Sequence, residues 1–178
     1  MTQTEQTFNS STGKKFNLNL FKIPSTNTGC RAPQSITYFK KITPYLCISD
    51  ARATTDLKLL KRHKVSTIIN MVGSKWSNKH IDHFSHHSFE IKDKIEEDIL
   101  DYLFDIIDII EENRKQGKVT LIHCYRGISR APTAILAYLI KYKQMHFDDA
   151  YSLLKEKVPR IDPNLGFLMK LRKLSTIN

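Results

Sequence analysis

The sequence predicts an α/β fold built on a mainly parallel sheet. Three observations carry that expectation: short β-branched runs such as VSTIINMV and KVTLIH, amphipathic helical stretches between them, and a helical tail after the last strand. The 178 residues, 40% apolar and 26% charged, suit one domain with a substantial core better than two. No apolar stretch approaches the length of a membrane span, so membrane insertion is not expected.

Residues 1–35 are rich in Thr, Ser, Asn and Gln without a sustained period, and read as a disordered extension able to dock through Phe16, Leu18, Leu20 and Phe21. Residues 36–178 form the predicted domain. SITYFKKITPYLCIS, with Ile42, Tyr45, Leu46 and Ile48, predicts two strands turning at Thr43-Pro44. TTDLKLLKRHK predicts a helix behind Asp56, and VSTIINMV a buried strand. A long polar connection, GSKWSNKHIDHFSHHS, then leads to a predicted short strand FEIK. From Asp98 to Gln116 the stripe Ile99, Leu103, Ile106, Ile107, Ile110 is helical, with Glu96, Glu97 and Asp98 read as first-turn acids. KVTLIH is the next strand, and helices are expected at 131–143, 147–157 and 163–175. Asp162 is the expected cap of the last, with Pro163 at its first position.

The opening MTQTEQTFNSSTGKK has no apolar h-region, so no secretion signal is expected. Cys30, Cys47 and Cys124 are an odd, sparse set, which predicts reduced thiols in the cytoplasm or nucleus. Of the +10 net charge, Lys14, Lys15, Lys22 and Arg31 against Glu5 place +3 in the extension and leave +7 for the domain. A basic domain fits phosphorylated substrates, an acidic membrane surface or nucleic acid, or simply a solvated lysine-rich surface.

The stretch LIHCYRGISRAPT carries the chemistry. A strand that ends in a short loop feeding a helix can cradle an anion, because loop N–H groups and the helix N-terminus converge on it. Gly127 lets the chain turn there. Cys124 at the start of the cradle is placed to act as a thiolate nucleophile, and Arg130 can fork onto two phosphoryl oxygens. Together they suit in-line attack on phosphorus and a cysteinyl-phosphate intermediate. A buried Cys124 serving only as a small hydrophobe is the bland alternative.

HCYRGISR fits the His-Cys-x5-Arg signature of protein tyrosine phosphatases, and its surroundings resemble the dual-specificity branch across about residues 36–175. ITPYLCISDA, VSTIINMV, APTAILAYLI and VPRIDPNLGFLMKL are similar, in order, to that branch's characteristic segments. The resemblance implies a three-layer phosphatase fold, a small stand-alone type without a rhodanese-like domain, no cofactor and no metal. It implies Cys124, Arg130 and Asp93 as catalytic residues, Asp93 being the general acid 31 residues before the cysteine, with Asp82 and Glu90 as rivals. Tyr125, Arg126, Gly127, Ile128, Ser129 and Arg130 would bind the substrate. His123 would orient the loop as a supporting residue, or be only a neutral, hydrogen-bonded strand-end histidine. Ser129 would bond within the loop or merely be solvated.

Three positions depart from the family pattern, the first being Tyr125, which would wall the pocket or only pack. Arg126 adds a guanidinium where the family has a small or apolar residue, and Ala131 replaces the Ser or Thr that follows the arginine and assists the departing thiolate. The implied partner is a phosphorylated protein carrying phosphotyrosine or phosphoserine/threonine. A phosphoinositide, an RNA 5′-phosphate, or a role as a slow-turnover phosphate-binding adaptor are the alternatives. His80, His83, His86 and His87 lack acidic or cysteine companions at a metal-binding spacing, and Trp76 is expected to anchor its loop. Oligomeric state has no signature in the sequence.

Overall fold

Two three-residue strands, β1 (Thr7–Asn9) and β2 (Lys15–Asn17), pair antiparallel near the start of the chain. Besides their backbones, the computed structural model describes residues 37–76 and 81–176. The rest of the expected 1–35 extension, with Cys30, and His80 lie outside the described residues.

The central sheet has five strands in the order β3-β4-β7-β5-β6. Strand β3 (Phe39–Thr43) turns through Pro44-Tyr45 into β4 (Leu46–Asp50), and these two pair antiparallel. The other three, β5 (Val65–Asn70), β6 (Ser85–Ser88) and β7 (Val119–Cys124), pair parallel with their neighbours. Every residue of β4 and β7 is buried, because helices cover both faces of the sheet.

Alternation along these strands sorts side chains between two cores. Cys47, Ile68 and Leu121 face Leu60 of α1 (Leu57–Arg62). Ile48, Ile69, Ile122 and Cys124 face the larger core under α2 (Leu100–Lys115), α3 (Arg130–Lys143), α4 (Phe147–Lys157) and α5 (Leu165–Thr176). The result is the expected three-layer α/β arrangement. Helix α3 runs through its middle, buried without a break from Ala131 to Ile140, which is why its sequence is apolar all round.

Helix α1 begins as expected, with the Asp56 carboxylate accepting from Leu59 N at 2.9 Å. Three expectations are corrected. The edge strand is Ser85–Ser88, not FEIK. Phe89 N still donates to Asn70 O, but the Ile91 carbonyl turns to Arg130 Nη1, so this segment has left the ladder. Glu96, Glu97 and Asp98 precede α2, whose first-turn acid is Asp101; Glu97 instead accepts from Lys92 N at 3.2 Å. The last helix starts at Leu165, capped not by Asp162 but by Asn164, whose Oδ1 accepts from Phe167 N at 3.1 Å.

Trp76 anchors its loop as expected: Nε1 donates to Thr54 Oγ1 at 3.1 Å. No helix of the described residues is long and apolar enough to cross a membrane.

Candidate active site

Strands β4, β7 and β5 run parallel, so their C-terminal ends share one edge of the sheet, the edge where α/β folds bind ligands. Cys124 is the last residue of β7 and Arg130 the first of α3. Between them the chain turns through Gly127 at φ +68°, a conformation that excludes most side chains. A Cβ on Gly127 would also lie 2.8 Å from the Ser49 carbonyl oxygen, so the loop rests directly on β4.

The loop's carbonyls are tied outward. Tyr125 O accepts from Ala51 N, Ile128 O from Asp162 N, and Ser129 O from Thr133 N, at 3.3, 2.9 and 3.0 Å. Arg126 O accepts from Arg160 Nη2 at 2.9 Å. Among the described residues, no loop or turn bond uses the amides of Arg126 to Ser129. With the carbonyls held outward, these N–H groups are left for the concave side, where α3 also begins: a nest for an anion.

Arg130 is fixed by its far end. Nη1 donates to Met71 O and to Ile91 O, each at 2.9 Å. The Met71 carbonyl is in turn set by Asn70, whose Oδ1 accepts from Val72 N and whose Nδ2 donates to Gly73 O. With Nη1 committed, the edge left for an oxyanion is Nε and Nη2, the geometry that matches two phosphoryl oxygens. Nε is buried and has no hydrogen-bond partner among the described residues.

Asp93 joins the same cleft, a cavity of about 690 Å³ that Cys124, Tyr125, Arg126, Ser129 and Arg130 also line. Its Oδ2 lies 3.7 Å from Arg130 Nε. Its Oδ1 accepts from Ser129 Oγ at 2.7 Å and from Asn164 Nδ2 at 2.8 Å. The rivals are elsewhere: Asp82 is exposed in the short turn Ile81–His83, and Glu90 packs against Gly73. Cys124 itself is 2% exposed, at the floor of the cleft, while Tyr125 stands 62% exposed at its rim.

His123 is fully buried, and burial holds its pKa down at about 3, with the charges of His86 and Arg130 adding to the shift and the Cys124 backbone opposing it. It is therefore neutral, as expected. Within ordinary hydrogen-bond distance neither ring nitrogen has a partner among the described residues, and the Cys124 backbone acts on the ring as a weak one. Among the described residues the histidines of this connection do not converge: His86 and His87 are successive residues of β6 and so point to opposite faces, and His83 lies in the preceding turn. Ser129 is a partner of Asp93 rather than a solvated side chain. Sequence reasoning assigned no role to Asn164 or Arg160, although both lie in VPRIDPNLGFLMKL, a segment that carried the family resemblance.

Residues 45–177 match the family described as dual specificity phosphatase, catalytic domain. Dual specificity protein phosphatase 19 of Mus musculus is 35% identical over 152 residues, covering 84% of this chain and 69% of that protein. Dual specificity protein phosphatase 5 of Homo sapiens is 30% identical over 131 residues, 74% of this chain, but the chain spans only 34% of that protein's length. Among solved structures, a mouse dual specificity phosphatase complexed with zinc tungstate superposes with a TM-score of 0.75 at 27% identity, over 86% of this chain and 94% of that one. The Yvh1 phosphatase domain of Chaetomium thermophilum gives 0.69 at 25% identity, over 80% and 96%. With a cysteine–arginine anion cradle at the mouth of this α/β sheet and a family match over most of its length, the chain belongs to the dual specificity phosphatases, the cysteine-dependent phosphatases of that name.

Proposed function

We propose that this chain hydrolyses phosphotyrosine and phosphoserine/threonine in proteins through a phosphoenzyme on Cys124. The observation that carries the reading is the loop itself: the carbonyls of Tyr125, Arg126, Ile128 and Ser129 are hydrogen-bonded away, and the loop has a cysteine at its start and a pinned arginine at its end. The tungstate in the mouse relative is a tetrahedral oxyanion of the kind such a nest would accept.

In the proposed reaction the Cys124 thiolate attacks phosphorus, forming S–P as the bond to the leaving oxygen breaks. The electron pair goes to that oxygen, which takes a proton from Asp93. The Nε–Nη2 edge of Arg130 and the loop amides hold the equatorial oxygens throughout. In the second half Asp93, now ionised, takes a proton from water; the water oxygen attacks phosphorus and S–P breaks, returning the pair to Cys124 and releasing inorganic phosphate. No metal takes part in this scheme. The free Cys47 and Cys124 suit a reducing, intracellular setting.

A slow-turnover phosphate binder is the second reading, and one observation favours it. The two hydroxyls at the start of α3 are already engaged: Thr133 Oγ1 donates to Ser129 O at 2.8 Å, and Ser129 Oγ donates to Asp93. Neither is available to the thiolate, and position 131 is alanine.

The test is phosphate release from phosphotyrosine, phosphoserine and phosphothreonine peptides, against a phosphoinositide and an RNA 5′-phosphate. The peptides should be the better substrates, vanadate should inhibit, and EDTA should not. Faster release from either non-protein substrate would overturn the assignment to proteins.

A further inference from the structure

Around Asp93, three residues from separate parts of the chain close a ring of hydrogen bonds. Asn164 N donates to Ser129 Oγ at 3.1 Å, Ser129 Oγ donates to Asp93 Oδ1 at 2.7 Å, and Asn164 Nδ2 donates to the same Oδ1 at 2.8 Å. The amide of Asn164 has one possible orientation here. Its Oδ1 accepts from Phe167 N at the start of α5, so the nitrogen faces the carboxylate. The contact is braced from behind: Gly166 lies so close to the Ile95 carbonyl that a Cβ there would overlap it, which seats the Asp93 loop on the first turn of α5.

The ring dictates where an acid proton can sit. A serine hydroxyl has one proton, and Ser129 directs it to Asp93. Asn164 Nδ2 can only donate. Oδ1 thus receives two donors, and a proton placed on it would leave the Ser129 hydroxyl without its acceptor. A protonated Asp93 therefore carries its hydrogen on Oδ2, the oxygen 3.7 Å from Arg130 Nε and so beside the phosphoryl position.

We infer that Asn164 is a positioning residue for the phosphatase reaction: through Nδ2, and with Ser129, it holds the Asp93 carboxyl so that its proton sits on Oδ2 and faces the leaving group. The inference rests on Asp93 being the general acid, as proposed above. It concerns one atom of Asn164, because the other side-chain atom, Oδ1, does the structural work of capping α5.

That division allows a clean experiment. Asn164→Ser keeps a capping oxygen for α5, since serine is as good a cap as asparagine, and removes the nitrogen that reaches Asp93. The variants Asn164→Ser, Asn164→Ala and Asp93→Asn are compared with wild type on two substrates, an activated aryl phosphate whose leaving group needs no proton and an unactivated alkyl phosphate. Melting temperatures and vanadate affinity are measured alongside. Asn164→Ser should melt near wild type, bind vanadate equally well, and keep its burst rate of leaving-group release on the activated substrate. On the alkyl phosphate its kcat/KM, which reports the steps up to departure of the leaving group, should fall about 10- to 100-fold, the cost of a misplaced catalytic group. Asp93→Asn should show the same selectivity with a larger loss. An Asn164→Ser enzyme that loses activity equally on both substrates, or on neither, overturns the inference while Asp93→Asn still shows the leaving-group effect. Absence of that effect in Asp93→Asn overturns the general-acid assignment instead.

Discussion

Restoring a hydroxyl beside Arg130 should accelerate this enzyme. Ala131 is fully buried in the first turn of α3, in the same core cluster as Cys124. In the proposed reaction, the thiolate released on hydrolysis of the phosphoenzyme would gain a hydrogen bond from the Ser or Thr that the family pattern places at this position. Thr133 cannot replace it, because both its N–H and its Oγ1 are bonded to the Ser129 carbonyl, at 3.0 and 2.8 Å. Ser129 cannot either, since its proton is given to Asp93. A hydrogen bond to a charged group is worth about 1.5–3 kcal/mol. Felt fully in the transition state, its absence slows dephosphorylation of Cys124 by about 10- to 100-fold. Rapid-mixing kinetics on an activated aryl phosphate should therefore show a burst of leaving-group release, then a slow steady rate. In Ala131→Ser the steady rate should rise by that factor with the burst rate unchanged. A wild type without a burst, together with no gain from Ala131→Ser, would refute the reasoning and remove the support for a slow-turnover binder.

Gly127→Ala should destabilise the loop by more than about 2 kcal/mol, because φ +68° strains any Cβ and this one would lie 2.8 Å from the Ser49 carbonyl oxygen; vanadate affinity measured by titration should fall with it. Arg130→Lys should lower kcat by about 10²- to 10³-fold, since a lysine replaces neither the Nη1 anchor to Met71 and Ile91 nor the two-pronged edge; near-normal steady-state rates would contradict that role. Acid should unfold the protein in two stages. Buried His123 takes up its proton only near pH 3, whereas the unfolded chain does so at the ordinary value of 6.5, so stability is lost as pH falls below 6.5. Glu111, held at about 2 chiefly by its hydrogen bond from Arg114, contributes stability above its ordinary 4.5 that is lost as pH falls toward 2. Urea midpoints against pH should show both stages, Glu111→Gln removing only the second; a flat profile between pH 6.5 and 4.5 would contradict the neutral His123.

What the sequence revealed and what it hid divide along sequence separation. The alternation of strands and helices, the cysteine loop and the stripe of α2 are local patterns, readable because periodicity and turn residues act over a few positions. Strand β6 was displaced because Ser85–Ser88 is a polar edge strand without an apolar period, while FEIK has one but spends the Ile91 carbonyl on Arg130. The start of α5 was shifted by two cap-type residues, Asp162 and Asn164, separated only by Pro163; tertiary contacts choose between them. That Cys124, Arg130 and Asp93 share one cleft was legible through the motif and, for Asp93, through the family resemblance. The residues that hold them were not, since Asn164 meets Asp93 across 71 positions and Arg160 meets Arg126 across 34. No period or short motif records such pairings.

The most direct test of the account is to look for the phosphoenzyme. Wild-type protein mixed with an activated aryl phosphate and quenched in acid within the burst should carry one phosphate on the peptide containing Cys124, detected by mass spectrometry and by radiolabel transfer. The label should be absent in Cys124→Ser, which should still bind vanadate and release no phosphate. Phosphate found on another residue, or release persisting in Cys124→Ser, would contradict the assignment of Cys124 as the nucleophile.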